Sequence, residues 1–474
     1  MNIDTSIFKA YDIRGVYPSQ INTEVVYKIA QAYVKFLSES EGARVKPART
    51  VDQGGDQGLT IVVGHDMRLS GEEFTEAVIR GLTEAGVNVV DLGLVSTDML
   101  YYAAATLDVD GGIQITASHN PKEYGGLKLV GKKGKPISGD TGIYQIRDLV
   151  NANSKLQITN SKSGTVIQKD IKEEYFEFVI SNFDTSKFKN FKIVANTNFG
   201  MGNLSVEYLK KYFPKTNFVK VVYEGLDGNF PLPLGRPDPL IPENRAEIIA
   251  ALKEHGADLG VAWDADADRC FFFDENGDFV TPAYVNALVS EYYLQKFPGG
   301  KIVHDTRVVR VIDYMVEKNG GVPVQTKAGH SFIKERMIKE GAVFGSETSG
   351  HYYFKDTFYL DNGLFPLFIV LDILSSTGEG VKFSEILKTL REKFFISEEM
   401  NFKVANLAAA LSAFKQKYSD SKIEEIDGLS FNYPNWRFNV RKSNTESLLR
   451  INVEANAKEL LEDKIKEVVE LVKK

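Results

Sequence analysis

Cysteine is almost absent. The 474 residues hold one, Cys270, so no disulfide can form within the chain, which fits a reducing compartment, the cytoplasm. Long apolar runs are missing too. The greasiest stretch, Leu364–Leu374 (LFPLFIVLDIL), is too short to span a bilayer and holds a proline, so it predicts a buried helix. The N-terminus, MNIDTSIFKAYDIRG, lacks the basic and apolar regions of a signal peptide. Positive charge is not in excess. With 57 Lys and Arg against 64 Asp and Glu, the net charge is -7, which argues against a nucleic-acid or anionic-membrane partner. The G-x-S-x-G turn of a nucleophile elbow is also missing.

What is present is ordinary soluble composition, 43% hydrophobic and 26% charged, in a chain long enough for about three or four domains. Short apolar runs alternate with helical patterns three times. INTEVVYKIAQAYVKFL puts Val26, Ile29, Ala30, Tyr33, Val34 and Leu37 on one helical face, capped by Asn22 or Thr23. LTIVVGHD, VNVVDLG and GGIQIT then read as strands with helices between them. FKIVANTN, NFVKVVYEG and LGVAW repeat the pattern, and GKIVHD, VPVQTK and AVFG repeat it again. The fold class predicted is α/β: three topologically similar βαβαβ modules, with mixed, mostly parallel sheets around a cleft. After about Val381 a smaller α+β domain follows, closed by a helix with Leu461, Ile465, Val468, Val469 and Val472 on one face. Ser38–Gly58 reads as a solvated insertion.

The most polar stretch of each module follows its third strand, where open α/β sheets bind ligands. The first is ITASHNPKEYGG (Ile115–Gly126). Its Asn-Pro and Gly-Gly pairs shape a tight exposed loop around Ser118. A hydrogen-bonded pair between adjacent Ser118 and His119 is awkward, and Lys128 on the next strand can reach back over the loop. Taken alone, such a serine is most often a plain turn residue. The second stretch is DADADR. On an extended segment Asp264, Asp266 and Asp268 share a side. Two carboxylates about 4 Å apart repel by roughly 4 kcal/mol at an effective dielectric near 20, so three want open water or a hard cation, Mg²⁺ or Ca²⁺. An EF-hand would need glycine at Arg269 and flanking helices, and both are missing. A haloacid-dehalogenase-type phosphatase would want Thr or Val at Asp268.

The third stretch, GSETSGHYYF, places Glu347, Ser349 and His351 at alternate positions, groups suited to hydroxyl-rich ligands. His330, at a strand-to-helix turn, reads more readily as a satisfied turn residue. A fourth loop, VRKSNTESLLR, sets Ser443, Asn444 and Thr445 between Arg441 and Arg450, a set that fits a phosphate. Ser443 and Glu446 also match a capping box, but SLLRINV reads as a strand.

These segments, with KAYDIRG (Lys9–Gly15), resemble the α-D-phosphohexomutase superfamily, and its phosphomannomutase/phosphoglucomutase branch most closely. The resemblance runs through nearly the whole chain in order. It implies four domains around a central cleft: 1–164 with a phosphoserine loop, 165–278 with a metal loop, 279–388 with a sugar-recognition loop and 389–474 with a phosphate-binding loop. It implies that Ser118 carries a phosphoryl group, and that Asp264, Asp266 and Asp268 hold Mg²⁺ together with a Ser118 phosphate oxygen. The implied reaction interconverts hexose 1-phosphate and 6-phosphate through a hexose 1,6-bisphosphate, which also serves as activator. A phosphosugar is then the partner, with the chain a monomer or weak homo-oligomer.

A phosphoserine adds about -1.5 to -2 charges, so cations must stand near the three aspartates. Arg14, Lys128 and Arg269 are the candidates. By resemblance Lys128, ahead of His351, handles the sugar hydroxyl proton, and His119 is a neighbour in the serine loop. Tyr11, Arg269, Arg307, His330, Glu347, Ser349 and His351 align with substrate contacts, as do Arg441, Ser443, Asn444 and Thr445. The chain departs from the common pattern at His65, at Gly125 in YGG, and at Ala265, Arg307, Ser346 and Ser447. Arg307 and Ser346 lie near sugar recognition and leave glucose, mannose and glucosamine open. GSETSGH is nearer the mannose/glucose branch.

Overall fold

In the computed structural model, residues 3–40, 58–152, 163–442 and 448–472 are described. Most of the Ser38–Gly58 insertion lies outside them, as do Ser443, Asn444, Thr445 and the capping-box pair.

Strands that are apolar along their whole length end up covered on both faces. Gly111–Ile115, Leu259–Trp263, Cys270–Asp274 and Phe344–Ser346 are buried at every position, as strands in the middle of a helix-covered sheet must be. Three units share one winding. In the first, Thr60–His65 is central, with Asn88–Leu94 parallel on one side and Gly111–Ile115 parallel on the other. The second repeats this with Phe191–Asn196, Thr216–Val222 and Leu259–Trp263. The third repeats it with Lys301–Asp305, Val322–Thr326 and Phe344–Ser346.

Each third strand then turns back into an antiparallel partner. These partners are Tyr124–Gly131, Cys270–Asp274 and Tyr352–Phe354. The three polar loops are therefore hairpin tips. Each carries one residue in the left-handed region: Ser118 at φ 47°, Ala267 at φ 61° and Gly350 at φ 87°. For Ser118 and Ala267 that conformation costs on the order of 1–3 kcal/mol and is held by the surroundings. It also corrects the extended reading of the aspartates and of Glu347, Ser349 and His351. Both sets converge around a reversing turn.

The helices behave as their patterns predict. Thr23–Ser40 buries all six expected residues, and Asn22 Oδ1 accepts from the amides of Glu24 and Val25, both at 3.1 Å. The helix Phe365–Ser376 is buried from Phe365 to Leu371 and at Leu374, with Pro366 in its first turn, where no amide donor is needed. One continuous core joins Met99 and Tyr175 to Trp263, Val285 and Phe368, and so ties the first three units together.

The last unit has an antiparallel sheet and its own core around Phe414, Trp436, Phe438 and Val468. In its closing helix Lys458–Val472 only Val468 is fully buried, while Leu461, Ile465 and Val472 are partly buried against that core. Its junction with the third unit is polar. Glu454 accepts from the amides of Val309 and Arg310, and Arg437 donates to the carbonyls of Thr306 and Arg307.

Candidate active site

Ser118 stands at the end of a fully buried strand, 1% exposed. Arg68 holds its loop from below, donating to the carbonyls of Ser118, Asn120, Pro121 and Tyr124. Arg14 braces the same loop through Asn120 Oδ1 at 2.7 Å and the Ala117 carbonyl at 3.2 Å, and pairs with Asp12. With the left-handed turn at Ser118, the adjacent imidazole does reach the hydroxyl: Ser118 Oγ and His119 Nδ1 are 3.2 Å apart. Arg269 Nη2 also bonds that ring nitrogen. Burial, then the charges of Arg269 and Arg14, push His119 well below its ordinary range, so it is neutral.

The second unit meets the serine directly. Ser118 Oγ donates to Asp264 Oδ2 at 3.1 Å, and Arg269 Nη2 donates to Ser118 Oγ at 3.3 Å. The ligand-capable oxygens of Asp264, Asp266 and Asp268 lie within 4.8 Å of one another, all buried. Lys128 reaches into the aspartate set. Its Nζ bonds Asp266 Oδ2 at 2.6 Å and also bonds Asp268 Oδ2. Burial opposes charge on that ammonium, but Asp266 and Asp268 outweigh burial and hold its pKa well above the usual lysine range. Thr97 Oγ1 donates to Asp266 Oδ2 at 2.5 Å. Burial, with Asp266 and Asp268 beside it, pushes the Asp264 carboxyl well above the usual carboxylate range.

The third unit closes on the second. Arg269 and His351 form an antiparallel bridge, and the Cys270 amide donates to the Gly350 carbonyl at 3.0 Å. His351 sits between Asp268, at 3.5 Å, and Glu347, at 3.3 Å, and Ser349 Oγ is 3.0 Å from its Nδ1. Burial would lower the imidazole pKa, but the two carboxylates raise it to about 9. Glu347 accepts from Tyr353 at 2.6 Å and from the Gly329 amide at 2.7 Å, and pairs with Arg307 at 3.3 Å. Arg307 is further held by Asp305 at 2.7 Å.

His330 departs from the satisfied-turn expectation. It is 92% buried, and neither ring nitrogen has a hydrogen-bond partner. Its ring meets Tyr11 edge-on at 5.2 Å. In the last unit Arg441 pairs with Glu399 at 2.9 Å.

Several participants escaped the sequence reading. Arg68 and Asp66 follow the first strand in GHDMR, and a buried charged pair after an apolar strand was their signal. Thr97 gave no signal. Lys334 and Asp361 form a buried ion pair, with the Lys334 ammonium 4.1 Å from the Tyr101 ring centre.

The distribution of these groups defines the class. Three units of one winding each contribute one hairpin tip to a common cluster, the plan of a phosphohexomutase. The comparisons carry the same assignment along the chain. Models described as phosphoglucomutase/phosphomannomutase alpha/beta/alpha domains I, II and III match residues 5–157, 173–277 and 281–394, and the C-terminal domain model matches 399–471. A phosphomannomutase of Vibrio cholerae is 41% identical, over 99% of both chains. A Xanthomonas campestris protein named for phosphohexose mutases is 40% identical, over 98% of this chain and 99% of its own. The crystal structure of a phosphoglucomutase/phosphomannomutase family protein from Burkholderia thailandensis superposes with a TM-score of 0.83 at 31% identity, covering 99% of this chain and 98% of that one. The chain belongs to the phosphoglucomutase/phosphomannomutase family, and it is a mutase, an enzyme of the isomerase class. No helix among the described residues is long and apolar enough to cross a membrane.

Proposed function

We propose that the protein interconverts hexose 1-phosphate and hexose 6-phosphate, with mannose or glucose as the sugar, through a phosphoserine at Ser118 and a hexose 1,6-bisphosphate. The observation that carries this reading is the seat of Ser118 Oγ, 3.1 Å from Asp264 Oδ2 and 3.3 Å from Arg269 Nη2. A serine hydroxyl is a poor nucleophile but a good carrier of a phosphoryl group. Phosphoryl transfer depends mainly on positioning and charge neutralisation.

The three aspartates fit Mg²⁺. Asp266 Oδ1 is buried with no hydrogen-bond partner, and Asp268 Oδ1 has His351 Nε2 no nearer than 3.5 Å, so hard oxygen ligands are available. Asp264, Asp266, Asp268 and a Ser118 phosphate oxygen would hold the ion, which when bound neutralises charge on the transferred group. In the transfer, a sugar hydroxyl oxygen forms the new O–P bond as the Ser118 Oγ–P bond breaks. The electron pair stays on Oγ, where Arg269 offsets it. The hydroxyl proton goes to a group that must first have released its own, for which Lys128 ranks ahead of His351. In the metal-free state both hold their protons at neutral pH, so either accepts only once the carboxylates that raise its pKa are engaged elsewhere: Asp266 and Asp268 for Lys128, Asp268 and Glu347 for His351. Neutral His119 lies beside Ser118 Oγ, with its Nδ1 bonded by Arg269 Nη2. Arg307, Glu347, Ser349, His330 and Tyr11 contact the sugar in this reading, and Arg441 with its loop holds the distal phosphate.

The test is mass spectrometry of the purified protein, intact and as peptides, for phosphate on Ser118, together with Ser118→Ala. Turnover should fall about 10³-fold or more. Full rate in Ser118→Ala refutes the mechanism. Release of free phosphate that depends on Asp264 and not on Ser118 makes the protein a phosphatase instead. Parallel rates on mannose, glucose and glucosamine 1-phosphates decide the sugar.

A further inference from the structure

Two arginines face each other across the last sheet. Arg441, on strand Trp436–Lys442, is registered directly opposite Arg450, on strand Leu449–Ala455. Like charges in that relation destabilise a sheet, so the pair needs an anion. Glu399 provides it from the segment between strands Phe395–Ile396 and Met400–Phe402. Its Oε2 accepts from Arg441 Nη2 at 2.9 Å and its Oε1 from Arg450 Nη1 at 3.1 Å. Each carboxylate oxygen thus serves one guanidinium. Burial works against the charge on Glu399, but Arg441, Arg307 and Arg450 outweigh it and keep the carboxyl ionised. Arg441 is 4% exposed, and its buried Nε has no acceptor. An anion with more oxygens than a carboxylate would use these donors more fully, and a phosphate matches the guanidinium fork.

We propose that Glu399 is an internal competitor at this site: it neutralises the arginine pair in the free enzyme and is displaced by the phosphate of the sugar. The inference rests on Arg441 belonging to the distal phosphate site, and it deepens that reading. A bisphosphate that must turn over has to be released by one phosphate site and rebound in the other orientation. An arginine pair without a competing anion would hold each phosphate longer. Glu399 lowers the net attraction and supplies a counter-ion whenever the phosphate leaves, so it trades affinity for exchange.

The experiment uses the full chain with Glu399→Gln and glucose 1-phosphate as the probe. Calorimetry in a Ser118→Ala background should show binding about tenfold tighter than with Glu399 present, a difference of about 1.4 kcal/mol. In the Ser118 enzyme KM and kcat should fall together, because the phosphate is held longer. Unchanged or weaker binding in Glu399→Gln overturns the proposal and makes Glu399 a residue that merely positions Arg441. Glu399→Asp, which withdraws the charge by one methylene, should bind with intermediate affinity, and it decides the matter if the Gln variant does not fold. Arg441→Ala separates the two levels. Its binding should weaken at least about tenfold. Binding unaffected by Arg441→Ala removes the phosphate-site reading and the proposal with it. Weakening there, without tightening in Glu399→Gln, removes the competitor alone.

Discussion

Replacing Lys128 with methionine should destabilise the metal-free protein and make it depend on Mg²⁺. The ammonium is 3% exposed and contacts Asp266 and Asp268, both fully buried. Methionine keeps most of the side-chain volume, so the loss is one of charge. Two carboxylates about 4 Å apart repel by roughly 4 kcal/mol at an effective dielectric near 20. Removing one partner of a buried ion pair costs about 3–5 kcal/mol. For a unit of this kind that lowers Tm on the order of 10 °C. The same geometry sets the response to metal. If the three aspartates hold a divalent ion as proposed, that ion must compete with the ammonium for Asp266 and Asp268 in the natural protein, and in the variant it does not. At an ion concentration about 100 times Kd, binding stabilises by about 2.7 kcal/mol, and the variant reaches that point at lower Mg²⁺. Scanning calorimetry in EDTA and across a Mg²⁺ series reads both effects. A variant that melts within about 2 °C of the natural protein in EDTA, or that gains no more from Mg²⁺, refutes the reasoning.

Other outcomes follow from single contacts. His351 is raised in the folded state to about 9 from 6.5, so its contribution is fully present below pH 6.5 and is lost as pH rises through 9. It amounts to about 3 kcal/mol at most. NMR titration of metal-free protein should find the raised value, and a midpoint at or below 6.5 counts against the two carboxylate contacts. Glu454 pairs with Arg437 at 2.7 Å, both 2% exposed, and caps the helix Arg310–Lys318. Glu454→Gln should cost about 3–5 kcal/mol in denaturant melts and raise KM through the Arg307 loop, so wild-type stability would sink this assignment. A Cβ on Gly200 would lie 2.6 Å from the Ala265 carbonyl oxygen and 2.7 Å from its Cα. Gly200→Ala should therefore displace the aspartate loop, cost about 1–3 kcal/mol and weaken Mg²⁺ binding. Wild-type Mg²⁺ affinity would show that the loop yields elsewhere.

What the sequence made legible was set by contiguity. The three windings could be read because each apolar strand is a continuous run and each polar loop follows it directly. The helix Phe365–Ser376 could be read because its proline falls in the first turn. Chain direction after the loops could not, since alternation of side chains is the same in parallel and antiparallel strands. Nor could the turns at Ser118 and Ala267, because neither is a glycine and their positive φ is imposed by packing. The Lys334–Asp361 pair escaped for a different reason. A lysine on a helix is ordinarily a solvent residue, and this one is covered by groups distant in sequence, the Tyr101 ring and Asp361.

Charge at the cluster explains why these pieces are arranged as they are. Arg14 is matched by Asp12, Arg68 by Asp66 and Lys334 by Asp361, so these pairs add no net charge. Asp264, Asp266, Asp268, Asp305 and Glu347 then face Lys128, Arg269, Arg307 and His351. Within this set that is one more carboxylate than cations, with Asp238, 3.9 Å from Arg269, at its edge. The surplus falls on Asp264, whose carboxyl burial and neighbouring carboxylates drive toward the protonated form. The metal-free cluster is thus close to neutral, the only state a site this deeply buried can hold cheaply. A phosphoserine brings about -1.5 to -2 charges, and a divalent cation brings the opposite. On the proposed mechanism the two must therefore arrive as a matched pair. A phosphoryl group on Ser118 without the ion would load the cluster with uncompensated negative charge, and the ion without the phosphoryl group would have to displace Lys128 with nothing gained at Ser118. Placing the serine at hydrogen-bond distance from Asp264 lets one buried cluster accept both.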